Sequence, residues 1–434
     1  MKVKMIVTAI AVAGLTATSV NAADNGKLQL QINQLRAQQA QLQQQVANLQ
    51  GQGQTTSAVH VGSIGDSLIS ANEYNNRGLD LLKSLAKAGS NAPLLTIGGT
   101  LEADGQYSHQ GSVGSGATSG SPAKAQYTNS SASGFYLDTA RIDVLAHVND
   151  WINGEMSYDL NHVNNSALNT GSLLIGNLNQ LPVYGQIGKL YPDAGLFGLS
   201  DNDIYSDNLV KNYFRPDAAD GASVGFYKAG LHTSLTAFKT NTTPDNINNP
   251  NQATSNWSAQ ADYTFNTGQI RTTVGAGYVS NMVNTNSNLT ISGVDQNTGR
   301  IPMASINAKV SFGPFDILGI YGQSLESVNN RTGSGTTELK AFDIETAYHL
   351  QVIKPTTVML GYSRTYGFDT ANVTDTNSAA GPKRGQWLLS VNSEVFKNTT
   401  VGLEYAHVGQ FTNAAVSGDI SHYDVLTADM TVKF

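Results

Sequence analysis

The feature that most limits how this chain can fold is an alternation of apolar and polar residues that recurs from about residue 95 onwards. In the final stretch, Leu426, Ala428, Met430, Val432 and Phe434 share one parity, and polar residues occupy the other. A period of two is typical of a β-strand with one apolar and one polar face. The pattern predicts sixteen strands, at 95–107, 134–148, 151–162, 170–178, 183–191, 220–229, 231–240, 256–266, 269–279, 302–313, 315–325, 338–350, 355–366, 385–396, 399–408 and 420–434.

The connections between these strands alternate between two lengths. Tight turns are predicted at Ala229-Gly230, Asn266-Thr267-Gly268, Gly313-Pro314 and Lys397-Asn398, because Gly, Asn and Pro supply the backbone angles that such turns require. Long stretches rich in Asn, Thr, Ser and Gly separate the hairpins, at 108–133, 241–255, 280–301, 326–337, 367–384 and 409–419.

An even number of strands with alternating short and long connections is typical of an outer-membrane β-barrel. A strand of about ten residues spans roughly 33 Å and, at a tilt near 45°, crosses the hydrocarbon layer. A soluble β-sandwich shows the same local alternation, but it does not explain the two connection lengths. The predicted fold is therefore an all-β transmembrane, 16-stranded antiparallel barrel over residues 95–434.

Both ends of the sequence favour export to an outer membrane. Lys2 and Lys4 precede an apolar run, and small residues follow it, so residues 1–22 are predicted to be a signal peptide. The last strand ends on Phe434, with Val432 and Met430 on the same face. This ending resembles the C-terminal signal by which the barrel assembly machinery recognises its substrates. The expected location is the outer membrane of a Gram-negative bacterium.

A heptad pattern between residues 27 and 50 predicts a short α-helical coiled coil, with a Gln-rich disordered tail as the alternative. Residues 51–94 are expected to form a linker and one short amphipathic helix. Sixteen strands place both barrel ends on the short-turn, periplasmic side, so the coiled coil is expected in the periplasm. The predicted coiled-coil core is Leu28, Ile32, Leu35, Gln39, Leu42, Val46 and Leu49.

The coiled coil indicates a homo-oligomer, because a seam of about three heptads is marginal in isolation. Leu at one core position and mostly β-branched residues at the other favour two strands. Sixteen-stranded porins are usually trimers, and we weigh that analogy slightly more. A trimer is therefore expected, and a dimer remains open.

Composition and residue distribution exclude several classes of function. The chain has 25 basic and 32 acidic residues, so nucleic acid is not an expected partner. It has no cysteine, which excludes disulfides and thiolate metal sites. The eight histidines are scattered, and no catalytic constellation stands out. Neither enzyme activity nor a cofactor is expected.

A sixteen-stranded barrel encloses more space than side chains fill, so an aqueous channel lined by the polar parity is expected. Acids outnumber bases on that parity, which predicts a weak preference for cations. The lumen candidates are Arg141, Asp143, Glu155, Asp159, Asp262, Arg271, Lys309, Asp343, Glu345, Glu394, Glu404, Asp429 and Lys433.

The connection at 192–219 differs from the other long connections, because Leu, Phe and Tyr alternate there with charged residues. Such an amphipathic segment could fold into the barrel as a constriction, or it could pack on the surface. The constriction candidates are Asp193, Asp201, Asp203, Asp207, Lys211 and Arg215. Three of these acids lie in "DNDIYSD", but no Gly-pinned loop accompanies them, so no metal site is predicted there.

The segment Tyr184–Gly195, "YGQIGKLYPDAG", is similar to the fifth-strand segment of phosphate-selective porins, although the arginine ladder of that family is missing. In layout, with a coiled coil before a sixteen-stranded barrel, the chain resembles the siderophore porin family first known as legiobactin receptors. That resemblance implies passive uptake of ferric siderophore, and hence iron uptake, without an energy-coupled plug.

The sequence thus favours a channel for small hydrophilic solutes, with ferric siderophore as the specific cargo that the resemblance implies. The alternative is a structural outer-membrane protein whose coiled coil links the barrel to periplasmic partners.

Overall fold

The computed structural model describes the second of two units into which the chain divides, Met1–Thr56 and Ser57–Phe434. The predicted signal peptide, the coiled coil and the linker up to residue 75 lie outside the described residues. The described residues are 76–89, 92–111, 131–160, 168–202, 204–239, 256–283, 285–292, 300–330, 335–351, 354–376, 382–410 and 422–434.

The described residues form two helices and twenty strands. The helices are α1 (Arg77–Ala88) and α2 (Leu209–Phe214). The strands are β1 (Leu95–Gly111), β2 (Ser131–His147), β3 (Ile152–Asp159), β4 (Leu168–Ile175), β5 (Val183–Leu190), β6 (Ala219–Lys228), β7 (Leu231–Phe238), β8 (Asn256–Thr267), β9 (Ile270–Val279), β10 (Leu289–Ile291), β11 (Met303–Phe312), β12 (Phe315–Ser324), β13 (Val328–Asn329), β14 (Thr336–Thr337), β15 (Lys340–Gln351), β16 (Pro355–Tyr366), β17 (Val373–Asp375), β18 (Lys383–Phe396), β19 (Thr399–Gln410) and β20 (His422–Lys433).

Sixteen of these strands form one closed antiparallel barrel, in the order β1 to β9, β11, β12, β15, β16, β18, β19 and β20. The first and last strands pair from Thr100↔Lys433 to Gly111↔His422. Gly99 and Phe434 then exchange two backbone hydrogen bonds, of 2.9 and 3.0 Å, so the final residue completes the ladder. The prediction of a sixteen-stranded antiparallel barrel is confirmed.

The short turns lie where the sequence predicts them, and their backbone angles explain the residues found there. Gly268, Gly313 and Gly230 have φ values of 63°, 55° and 86°, in the left-handed region that glycine adopts without steric cost. Asn398 has a φ of 61°, which Asn tolerates better than most residues. These turns mark one end of the barrel, which we call the short-turn rim.

The outward face of the barrel is apolar. Along β15, for example, Ile344 is 55% exposed whereas its neighbours Asp343 and Glu345 are buried. Aromatic side chains gather near the short-turn rim, where Phe315 lies 5.5 Å from Phe312 and 4.7 Å from Tyr348 between ring centroids. An apolar band edged by aromatic residues is the surface that a transmembrane barrel presents to lipid.

At the opposite end, parts of the long connections are ordered rather than simple polar loops. β10 pairs with β17, and β13 pairs with β14, outside the barrel sheet. Ile291, Val373, Val328 and Phe368 from these connections are buried in one apolar cluster. The sequence did not predict these short strands, since two or three residues are too few for a periodicity to register.

Among the residues that the structure describes, neither helix is long and apolar enough to cross a membrane.

Candidate functional site

The connection between β5 and β6 runs inside the barrel and first contacts the inner faces of β8 and β11. The backbone N–H of Gly195 donates a 2.9 Å hydrogen bond to Gln260 Oε1. Ser305 Oγ donates a 2.8 Å bond to the carbonyl of Ala194. On β9, a Cβ added at Gly277 would lie 1.8 Å from that same carbonyl oxygen, so glycine there lets the connection lie directly on the wall. We call residues 191–218 the inserted connection.

The middle of the inserted connection is held by charged groups of the wall. Lys309 Nζ on β11 donates to Asp201 Oδ1 at 2.7 Å and to the carbonyl of Leu199 at 3.1 Å. Burial raises the pKa of Asp201, and the ammonium of Lys309 opposes that rise. Ser200 Oγ donates a 2.6 Å bond to Glu345 Oε2, which adds a charge-assisted contact to β15.

Beyond this point the inserted connection contacts β19 and then forms α2. Asn202 Nδ2 donates a 2.7 Å hydrogen bond to Glu404 Oε2. Asn208 caps α2 by accepting a 2.8 Å bond from the N–H of Lys211. Leu209 and Phe214 are almost wholly buried in the apolar cluster beneath the long connections. The inserted connection therefore follows the wall from β8 to β19 and has its own small core.

Helix α1 also lies inside the barrel, against a different part of the wall. Arg77 Nη2 is 2.8 Å from Asp143 Oδ1, and Arg77 Nε is 3.5 Å from Glu155 Oε2. Farther along the helix, Leu82 is buried in a cluster that includes Leu145, on the inner face of β2. The short amphipathic helix expected within residues 51–94 is present as α1, and its apolar face is covered by the barrel wall.

The start of α1 is bound to a buried polar network that the sequence did not reveal. Asn76 Oδ1 accepts a 2.9 Å hydrogen bond from Gln260 Nε2, which also donates to Asp262. His232 Nδ1 lies 2.7 Å from Asp262 Oδ1, and His232 Nε2 lies 2.9 Å from the hydroxyl of Tyr184. These contacts join β5, β7 and β8 to the helix, so the network fixes the position of α1.

The space left between α1, the inserted connection and the wall is a polar cavity of about 390 Å³. The wall side of the cavity comes from parts of β1, β2, β19 and β20. Among the described residues, its charged lining consists of four acids and four bases, namely Glu102, Asp138, Asp143, Asp207, Arg77, Arg141, Lys211 and Lys433.

The constriction candidates do not all reach this cavity. Asp207 and Lys211 line it and form an ion pair of 2.5 Å. Asp201 is bound to Lys309, and Arg215 lies 3.7 Å from Asp217. Asp193 lies at the start of the inserted connection, where burial raises its pKa. The sixth candidate, at position 203, is outside the described residues.

The lumen candidates divide into groups that the sequence could not separate. Glu345 and Glu404 lie beneath the inserted connection, and Glu155 lies beneath α1. Arg271 and Glu394 are exposed near the short-turn rim. Lys309 contacts the inserted connection, and Asp143 and Asp262 contact α1 or the residue before it. The remaining candidates lie on the inner face, at Arg141, Asp159, Asp343, Asp429 and Lys433.

The sequence interpretation missed three acids on the part of the wall next to the cavity. Glu102 and Asp104 alternate with the outward Leu101 on β1, so strict parity counting could have found them. Asp138 could not be found in this way. The register shifts between Glu102↔Thr139 and Ala103↔Leu137, which makes Asp138 the extra residue of a β-bulge.

The comparisons with known proteins give a distant relative and a shared fold. No family model matches the chain. A UPF0422 protein of Coxiella burnetii (strain RSA 493 / Nine Mile phase I) is 23% identical over 307 residues, which cover 67% of this chain and 62% of the relative. The chain therefore spans less than two thirds of the length of the curated relative that it matches.

Solved structures with a similar fold are outer-membrane proteins. An anion-selective porin from Comamonas acidovorans has a TM-score of 0.51 and 10% identity, with 78% of this chain and 99% of that chain covered. OmpT of Vibrio cholerae, in its trimer form, has a TM-score of 0.50 with the same identity and coverage. At such identities the similarity establishes the porin-type barrel fold alone.

Proposed function

We propose that this protein is an outer-membrane channel for the passive uptake of small hydrophilic solutes. The observation that carries the proposal is the charged cavity between the two inserted segments and the wall formed by β1, β2, β19 and β20. Charged side chains of both signs around free space are typical of a water-filled cavity, because charge is costly to remove from water.

The closed barrel and its outward face support the membrane location. Exposed Ile, Leu, Val and aromatic side chains recur along the barrel strands, whereas the inner face carries charged and amide side chains. A surface of that kind is stable in lipid, where every backbone polar group must be satisfied within the protein, as a closed barrel does.

The lining also sets an expectation for selectivity. With four acids and four bases around the cavity, the channel discriminates weakly between small cations and small anions. This balance reduces the cation preference expected from the sequence, because several inner-face acids are covered by α1 or by the inserted connection.

The finer proposal is that the cargo includes ferric siderophore. It is supported by the resemblance in layout to siderophore porins, with an N-terminal coiled coil before the barrel. The cavity of about 390 Å³ lies at the lower end of the range of ligand sites, roughly 300–1,000 Å³. A ferric siderophore would therefore need the inserted connection or α1 to move.

A swelling assay with proteoliposomes tests the channel. Vesicles that contain the folded full chain should swell in small sugars, with a rate that falls as the sugar becomes larger. Vesicles made with heat-denatured protein are the control. Swelling no faster than this control, from protein that shows the gel mobility of a folded barrel, would contradict the channel and favour the structural alternative.

Iron uptake by a strain that lacks the gene tests whether ferric siderophore is a cargo of the channel. We expect poor growth on the ferric siderophore as sole iron source, and restored growth when the gene is returned. Undiminished growth of the deletion strain would leave only the general channel.

We also propose a homotrimer, with the barrels side by side and their coiled coils on one axis. Cross-linking of the intact protein should stop at the mass of three chains. A dimer band as the end point would favour the two-stranded coiled coil, and a monomer band alone would exclude both.

A further inference from the structure

A cluster of three acids lies on the inner wall where β1 meets β20. Glu102 and Asp104 belong to β1, and Asp429 is the direct cross-strand partner of Asp104. One carboxylate oxygen of each residue lies within 4.8 Å of the other two. Like charges directly opposite each other destabilise a sheet. A shared proton or a bound cation must offset this repulsion in the folded barrel.

Asp104 provides a second and independent observation. It is 2% exposed, and neither of its carboxylate oxygens has a hydrogen-bond partner within the described part of the chain. The hydroxyl of Tyr136, its cross-strand neighbour on β2, is also buried without a partner. Buried polar groups in proteins are almost always satisfied. The hydroxyl of Tyr136 can donate to only one oxygen of Asp104, so the other buried oxygen still lacks a ligand among the described residues.

A second cluster in the same barrel, of two acids and a histidine, shows how a cation can offset the repulsion between carboxylates. Asp201, Asp316 and His349 also come within 4.8 Å of one another. There, Lys309 Nζ lies 2.7 Å from Asp201 and 3.0 Å from Asp316, so a lysine supplies the cation. Among the described residues, no lysine or arginine forms an ion pair with Glu102 or Asp104.

The three carboxylates lie close enough together to share one cation. Ca²⁺ binds oxygen at about 2.3–2.6 Å, so oxygens up to about 4.6–5.2 Å apart can share one ion. Mg²⁺ needs about 2.0–2.1 Å, which limits its ligands to about 4.2 Å apart. The three oxygens lie within 4.8 Å of one another, a limit that falls inside the range that one Ca²⁺ can bridge.

We propose that Glu102, Asp104 and Asp429 form a Ca²⁺ site on the wall of the cavity. The ion reaches the site from the cavity, since Glu102 lines that space whereas Asp104 and Asp429 are buried behind it. The hydroxyl of Tyr136 lies next to Asp104 as a further oxygen donor, and water from the cavity completes the coordination. A bound Ca²⁺ removes the repulsion between Asp104 and Asp429 and makes the wall less negative.

Isothermal titration with CaCl₂, on the folded full chain in detergent, tests the site. Asp104→Asn should weaken Ca²⁺ binding at least tenfold, and Glu102→Gln should weaken it by a smaller factor. Glu394→Gln is the matched control, because it removes an exposed carboxylate near the short-turn rim. Mg²⁺ should bind more weakly than Ca²⁺ to the unmodified protein.

Three outcomes would overturn the site. These are no saturable Ca²⁺ binding by the unmodified chain, equal binding by Asp104→Asn, or an equal loss in the Glu394→Gln control. If Asp104→Asn does not fold, as judged by gel mobility before and after heating, Glu102→Gln decides the question in the same titration. A channel that conducts but binds no Ca²⁺ would refute this site and leave the proposed function standing.

Discussion

Arg77 fixes α1 inside the barrel through two buried carboxylates, so its replacement by alanine gives a sharp test of how the helix is held. Asp143 and Glu155 have side chains that are 4% and 1% exposed. Removing one partner of a buried ion pair costs about 3–5 kcal/mol, because the remaining charge is left uncompensated. Glu155 still accepts hydrogen bonds from Thr170 and Ser172, so we expect about 3 kcal/mol.

This cost should appear as release of α1, because the barrel ladder includes no residue of the helix. A loss of about 3 kcal/mol shifts the docking equilibrium roughly 150-fold. The chain has no cysteine, so Leu82→Cys introduces one reporter at a position that is 2% exposed. Its rate of reaction with a maleimide then measures how often α1 leaves the wall.

Arg77→Ala in the Leu82→Cys background should therefore be labelled roughly 150-fold faster. Neutralising both partners, with Asp143→Asn and Glu155→Gln, should return most of the protection. Lys87→Ala is the matched control, since Lys87 is an exposed base in the last turn of the same helix and is worth about 0.3–1 kcal/mol. Equal labelling of the Arg77 and Lys87 variants would refute the reasoning.

Two further predictions concern the inserted connection. Gly277→Ala should push the carbonyl of Ala194 off the wall and lower the single-channel conductance. It should also cost about 1–3 kcal/mol of stability, measured by thermal unfolding in detergent. Gly319→Ala is the control, because a Cβ at Gly319 meets open space and should change neither quantity. Burial opposes ionisation of Asp207, but the charge of Lys211 outweighs it and lowers the pKa of Asp207. The stability that this carboxylate contributes is present above its unfolded pKa of about 3.9 and is lost as the pH falls through the lower folded value. The unfolding temperatures of the unmodified chain and of Asp207→Asn should therefore differ at pH 7, and the difference should shrink as the pH falls below about 3.9. A difference that is as large at pH 2.5 as at pH 7 would contradict this.

The barrel could be predicted from the sequence because its strands depend on local sequence signals. A period of two sets which side chains face lipid, and Gly or Asn at the turns sets where each hairpin reverses. The structure confirms all sixteen barrel strands, with ends that differ by a few residues, as at β3, which ends at Asp159 rather than near residue 162.

The packing of the inserted connection and of α1 inside the barrel could not be predicted in the same way. Parity shows that Glu404 faces inwards, but it does not show that Asn202 of the inserted connection binds it from 202 residues away in the sequence. The position of α1 depends likewise on Arg77 and Asp143, which are 66 residues apart. The bulge that carries Asp138 also inverts the parity of β2, so counting from Asp143 assigns the wrong face.

The most direct test of the channel is to measure the current through a barrel whose lining is modified at one point. Thr100 lines the cavity, and its neighbour Leu101 points outwards and is 44% exposed. Single cysteines at these two positions can be treated with a positively charged methanethiosulfonate reagent during planar-bilayer recording. We expect steady single-channel current and a stepwise drop on modification of Thr100→Cys, with no drop for Leu101→Cys. A folded, inserted barrel that carries no current, or a current unchanged by modification of Thr100→Cys that mass spectrometry confirms, would contradict it.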